Sequence, residues 1–84
     1  MSMQEIICEE SFNYIVFKNN QGAYLTFLIG GPVEFDYTVK LTNEEAAAIS
    51  SNFSLASEMV QGLKENKIKL QQRKLKSALW PTNT

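Results

Sequence analysis

The stretch Phe35 to Ile49, FDYTVKLTNEEAAAI, changes its hydrophobic period half-way along, and no other stretch restricts the fold as much. From Phe35 to Leu41 the residues alternate, with Phe35, Tyr37, Val39 and Leu41 on one side and Asp36, Thr38 and Lys40 on the other. That is the pattern of a strand with one face on a core and one face in water. At Thr42 the pattern becomes Thr-x-x-Glu. A Thr42 hydroxyl placed to accept from the Glu45 amide, with the Glu45 carboxylate reaching back to the Thr42 N–H, is a capping box, and it starts a helix. Glu44 and Glu45 then fall in the first turn, where the helix dipole favours carboxylates. A strand and a helix joined by so short a connection predict an α+β fold in which the helix folds back onto the apolar side of the sheet.

Upstream, residues 4–9 carry Ile6, Ile7 and Cys8, and residues 12–18, FNYIVFK, are aromatic and β-branched, as strands are. Glu9-Glu10-Ser11 between them lacks the Gly or Asn of a tight hairpin. Residues 4–18 therefore read as one long strand with a bulge or bend, with an extra N-terminal strand segment as the alternative. Phe12, Tyr14 and Val16 alternate with Asn13, Ile15 and Phe17, so both faces are partly apolar and cover on both sides is a live reading. Asn19-Asn20-Gln21-Gly22 is a turn signal, because Asn and Gly tolerate the positive φ of short hairpin loops. Strands at about 23–29 and 33–41 follow, separated by Gly30-Gly31-Pro32, and complete a three-stranded antiparallel β-meander. A phosphate cradle requires a glycine-rich loop that feeds a helix N-terminus, and this one feeds a strand.

After the capping box Ala46, Ile49, Phe53, Ala56, Val60 and Leu63 recur in steps of three and four, an apolar stripe widened by Met59. Ser50-Ser51-Asn52 is a cluster of weak helix formers, and Gly62 and Asn66 mark a second weak point. Beyond it Ile68, Gln72, Leu75 and Leu79 align out of phase with the first stripe. Two or three helices packed on one face are expected, at about 43–51, 54–65 and 67–79, with the last stopped before Pro81. Residues 1–80 form a single domain, and 81–84 a flexible tail that frays unless Trp80 docks.

An 84-residue domain buries about 60–65% of its unfolded surface, and a single cysteine cannot close a disulfide within the chain. Association with a second copy is the expected source of extra burial, so a homodimer is anticipated. No charged leader with an apolar run and cleavage site is read at the start, and the densest apolar run, Tyr24 to Ile29, is too short to span a bilayer. A cytoplasmic protein with no membrane partner is expected. Net charge is −1, but residues 1–45 hold seven acidic side chains against two basic ones, a net of −5. Residues 46–84 hold six basic against two acidic, a net of +4. Complementarity within or between chains is the plainer reading, and an anionic partner for the basic half the sharper one.

There is no histidine, which removes the commonest general base and metal ligand together. No Cys/His ligand set or Cys-His dyad can be assembled within one chain. Cys8 reads as a small apolar residue, with no neighbouring Lys or Arg to stabilise a thiolate. Glu34 and Asp36 share one strand face about 7 Å apart, a pair that reads as solvated edge rather than as a magnesium or glycosidase site. No catalytic residue, cofactor or metal is therefore assigned.

What remains is an interaction surface. If the helices cover one sheet face, aromatic and apolar residues are left on the other, with Tyr24, Leu28 and Ile15 or Phe17 the candidates. The alternative is that the chain wraps to cover them. The leading expectation is a non-enzymatic protein-interaction module of inhibitor, immunity, adaptor or regulatory-subunit type, which meets a basic protein partner through Glu34, Asp36, Tyr24, Leu28 and Trp80. The second expectation is a nucleic-acid-associated regulator, with Lys69, Arg73 and Lys76 along one strip of the last helix as phosphate contacts. Its weakness is an overall charge far from basic.

Overall fold

A computed structural model describes residues 5–10, 13–30 and 35–81. Four strands are followed by three helices: β1 (Glu5–Glu10), β2 (Tyr14–Asn19), β3 (Gly22–Ile29), β4 (Phe35–Leu41), α1 (Asn43–Ser51), α2 (Ser54–Glu65) and α3 (Lys67–Arg73). The sheet order is β1-β2-β3-β4 with every neighbouring pair antiparallel, so the fold is the expected α+β meander with the extra N-terminal strand present. The single bent strand preferred for 4–18 is instead two paired strands. Asn13 ties the two strands together, its N–H bonding the Glu10 carbonyl at 3.1 Å and its side-chain amide bonding the Glu10 carboxylate at 3.0 Å. A register shift between Ile6 and Cys8 leaves Ile7 as a bulge.

The β2–β3 hairpin pairs Asn19 with Gly22 around a two-residue loop, and Asn19 Oδ1 accepts from Gln21 N–H at 2.8 Å. Gly22 has φ +143°, and a Cβ there would sit 3.0 Å from Lys40 Cε. Gly22→Ala is expected to cost about 1–3 kcal/mol, read from the urea midpoint, because both the backbone and the neighbouring lysine have to give. An unchanged midpoint would show that the hairpin relaxes freely.

The helices cover the first sheet face. Val16, Leu25, Phe27, Val39 and Leu41 meet Ile49 of α1, Ala56, Val60 and Leu63 of α2, and Leu70 of α3. The capping box forms as expected, with Thr42 Oγ1 accepting from Glu45 N–H at 3.1 Å and Glu45 Oε1 accepting from Thr42 N–H at 2.9 Å. Asn52 then breaks the helix in extended backbone, and its Oδ1 accepts from both the Ser54 N–H and hydroxyl. That break throws Phe53 out of the apolar stripe and leaves it 54% exposed. Asn66 Oδ1 accepts from Lys69 N–H and caps α3.

The last helix departs most from expectation. It ends at Arg73 rather than 79, with Lys74 extended at φ −66°, ψ 146°. Its buried residue is Leu70, 3% exposed, whereas Ile68 is 74% exposed. Two residues is about 200° on a helix, so the two point in opposite directions. Beyond Arg73 the chain crosses the β4 edge. Lys74 bridges Val39, and Leu75 N–H donates to the Thr38 carbonyl at 2.8 Å. Residues 74–81 then run as a strap over the second sheet face. The apolar Leu75 and Leu79, which an extended helix would have left beside Ile68, thereby gain a sheet to lie on.

Candidate interaction surface

The strap gives the second sheet face a structure that strand alternation alone does not. Cross-strand partners share a face, so Phe17, Tyr24 and Lys40 form one row, Ile15, Thr26 and Thr38 the next, and Leu28 and Asp36 the third. Phe17 and Tyr24 of the first row are apolar and covered, while Lys40 at its β4 end is exposed. Phe17 and Tyr24 stack with ring centroids 5.6 Å apart, and together with Ile15 they form a small second core against which Leu75 packs. Tyr24, expected on the surface, is 4% exposed. The chain has wrapped to cover its own aromatic residues.

The middle row is polar and equally buried, with Thr26 and Thr38 both at 0% exposure. Their hydroxyls are satisfied by the backbone of one strap residue. Leu79 N–H donates to Thr38 Oγ1 at 2.8 Å, the two hydroxyls lie 2.7 Å apart, and Thr26 Oγ1 donates to the Leu79 carbonyl. Each hydroxyl has one proton, and a carbonyl cannot donate. The Thr26 proton therefore goes to Leu79, and the Thr38 proton goes to Thr26. The contacts close a ring from the Leu79 N–H through both hydroxyls to the Leu79 carbonyl, and neither threonine is left unpaired.

The third row is open. Trp80 Nε1 donates to Asp36 Oδ2 at 2.7 Å, so the indole docks rather than frays, yet Trp80 remains 45% exposed. Leu79 is 37% exposed and Leu28, opposite Asp36, is half-buried. Four of the five anticipated partner-binding residues are thus placed. Leu28, Asp36 and Trp80 come together at one end of the second face, and Tyr24 lies beneath the strap. Glu34 lies outside the described residues, as does 82–84 of the expected tail. Pro81 is half-buried. Leu79, Thr26 and Thr38 were not anticipated. Their signal was the two-sided apolar pattern of residues 12–17 together with the Leu75–Leu79 spacing, which required an element to cover the second face.

Lys69, Arg73 and Lys76 do not form the expected strip, because α3 ends before Lys76. Arg73 is committed inside the molecule. Its guanidinium makes two bonds to the Glu45 carboxylate, at 2.7 and 3.0 Å, and a third to the Lys40 carbonyl at 3.0 Å. The hydrogen bond from Arg73, opposed by burial and helped by Thr42, holds the Glu45 carboxyl below its usual range, and Glu45 in turn raises Arg73. The pair forms one wall of a cleft of about 300 Å³ that is also lined by Glu58, Met59, Gly62 and Lys69. With both partners engaged, this wall holds α3 to the α1 N-terminus and offers no free base or nucleophile.

Partial burial pushes the Cys8 thiol up, which keeps it protonated and a poor nucleophile at neutral pH. Among the described residues no group of three or more His, Cys, Asp or Glu is placed to hold a metal ion, and no helix is long and apolar enough to cross a membrane. Set against models of known protein families, curated proteins and solved structures, the chain matches none.

Proposed function

We propose that this chain is a non-enzymatic cytoplasmic protein-interaction module, of inhibitor, immunity, adaptor or regulatory-subunit type, that binds a basic protein partner through the open end of its second sheet face. The observation that carries the reading is Trp80. Its indole is fixed by a 2.7 Å bond to Asp36 while nearly half of its surface stays in water. Tryptophan is enriched among the residues that dominate binding energy, and a ring held in place loses little further freedom on binding. Leu28 and Leu79 flank it with apolar surface, and Asp36 contributes an anionic centre. Glu9 and Glu10 of β1 add a negative field that steers a basic partner towards the sheet, whereas Glu5 is paired with Lys18 at 2.9 Å.

The test is capture from the native host with tagged full-length chain. Trp80→Ala and, separately, Asp36→Lys are expected to reduce retention of the basic partner by roughly 30-fold or more, the equivalent of a binding contribution of about 2 kcal/mol. Leu70, Val60 and the rest of the helical core stay untouched, so far-UV circular dichroism is expected to match the parent chain. Retention equal to that of the parent chain in both variants removes this surface from consideration.

A further inference from the structure

The helix layer, on the sheet face opposite the strap, holds the cleft of about 300 Å³ between α2 and α3. Glu58, Gly62 and Asn66 line it at steps of four, with Met59 and Leu63 beside them, and Lys69 and Arg73 line it from α3 at the same spacing. Steps of four keep side chains on one helix face, so one flank of each helix is given to the cleft. The Glu45–Arg73 pair closes one side. Its deepest surface is apolar, since Leu63 is 2% exposed and Met59 is half-buried.

Two carboxylates and two cations line the cleft, so a lone anion or a lone cation gains little from their sum. They are unequally engaged. Arg73 is bonded to Glu45 and to the Lys40 carbonyl, which uses three of its five N–H groups. Among the described residues, the side chains of Glu58 and Lys69 have no ion-pair or hydrogen-bond partner. A carboxylate on α2 and an ammonium on α3 therefore stand either side of apolar ground without meeting.

Gly62 is the second unexplained member. Glycine is disfavoured inside a helix more than any residue but proline, and here neither backbone nor packing requires it. Its φ is not positive, and a Cβ would meet nothing within 4 Å. What the missing side chain leaves is width in the cleft.

The geometry points to this cleft as a binding site for a small zwitterion, an α-amino acid with an apolar side chain. Its ammonium donates to Glu58, its carboxylate accepts from Lys69 and from the N–H groups that Arg73 has left, and its side chain lies past Gly62 onto Met59 and Leu63. The volume is at the low end for small-molecule sites, which suits a single amino acid better than a peptide or a nucleotide. A ligand that spans α2 and α3 binds only the folded chain, and it holds the helix from which the strap runs. This site goes beyond the interaction-module reading and does not depend on the Trp80 surface.

The test is a titration of the isotope-labelled full chain with leucine and with methionine, into the tens of millimolar, followed by amide chemical shifts. Saturable shifts are expected at Met59, Gly62 and Lys69, with little change in β1 or at Trp80. Leucinamide lacks the carboxylate and isocaproate lacks the ammonium, and each is expected to bind about tenfold more weakly than leucine, the loss of one charge-assisted contact. Glu58→Gln and Lys69→Met are each expected to weaken leucine binding by a similar factor. Gly62→Leu favours the helix and fills the cleft, so it is expected to abolish the shifts while the urea midpoint stays at or above that of the parent chain. No saturable shift with either amino acid, leucinamide or isocaproate binding as well as leucine, or undiminished leucine binding by a folded Gly62→Leu chain overturns the assignment.

Discussion

Leu70→Ala is expected to destabilise the protein by about 2–5 kcal/mol, while Ile68→Ala, two residues earlier on the same helix, changes stability by no more than about 0.5 kcal/mol. Leu70 is the buried residue of α3 and closes the cluster formed by Val39, Leu63 and Val60 with the sheet. Its truncation opens a cavity beneath a seven-residue helix that has no other apolar anchor. Ile68 stands in water, and its loss costs almost nothing. An 84-residue domain has a total stability on the order of 4–13 kcal/mol, so the Leu70 change consumes a large fraction of it. The strap begins one residue after α3, and it is expected to loosen along with the helix. Urea unfolding followed by circular dichroism gives both midpoints. Equal shifts for the two variants would show that α3 does not sit on the core through Leu70.

Arg73→Met is expected to cost about 1–3 kcal/mol at neutral pH, and to flatten the acid limb of the stability profile. The arginine makes three charge-assisted bonds and ties α3 to the α1 N-terminus and to the end of β4. Methionine keeps much of the stem's packing but leaves the Glu45 carboxylate with only its capping bond to Thr42. The sign of the pH effect follows from the direction of the Glu45 shift. The folded-state carboxyl titrates below the unfolded one, so the unfolded chain takes up the proton first on acidification. The stabilisation is therefore complete above the unfolded value of about 4.3 and is lost as pH falls from there through the lower folded value. Arg73 stays charged throughout. Thermal midpoints measured from pH 7 down to pH 3 are expected to fall less steeply for Arg73→Met than for the parent chain. Parallel profiles would mean that the pair makes no net contribution, as exposed pairs often do.

The same ion pair shows where the reading of the charges from sequence succeeded and where it stopped. An acidic first half and a basic second half pointed to complementarity, and Glu45–Arg73 is one instance of it within the chain. Which cations were committed was not legible. Lys69, Arg73 and Lys76 share a strip only if the helix runs on, and it does not. Helix propensity gave little warning, since Lys, Leu and Ala favour a helix and Ser77 is the single weak helix former among residues 74–79. The stop comes from competition: a helix continued to Leu79 would leave Leu75 in water beside Ile68, whereas extended backbone lays Leu75 on an aromatic row that nothing else covers and brings the Leu79 backbone to the buried Thr26 and Thr38 hydroxyls. Propensity differences are tenths of a kcal/mol per residue, and burying much of one leucine side chain is worth on the order of 1 kcal/mol or more.

Local signals carried most of the remainder. The Thr42 capping box, the Asn19–Gly22 hairpin and the breaks at Asn52 and Asn66 lie where the sequence placed them, because each is settled by atoms within three or four residues of one another. Of the proposed interaction surface, Leu28, Asp36 and Trp80 were identifiable individually, as apolar or charged residues left over from the core.

The sequence alone determined the α+β order, the β2–β3 and β3–β4 pairing and the start of α1 at the Thr42 capping box, all through periodicities and short-range bonds that any context would preserve. Only the tertiary structure decided that Tyr24 is covered, which leucine anchors α3 and where the last eight described residues go. Those outcomes depend on one sheet face being vacant once the helices have taken the other. Vacancy is a property of the assembled sheet, and residues as far apart as Thr26 and Leu79 meet only after it exists.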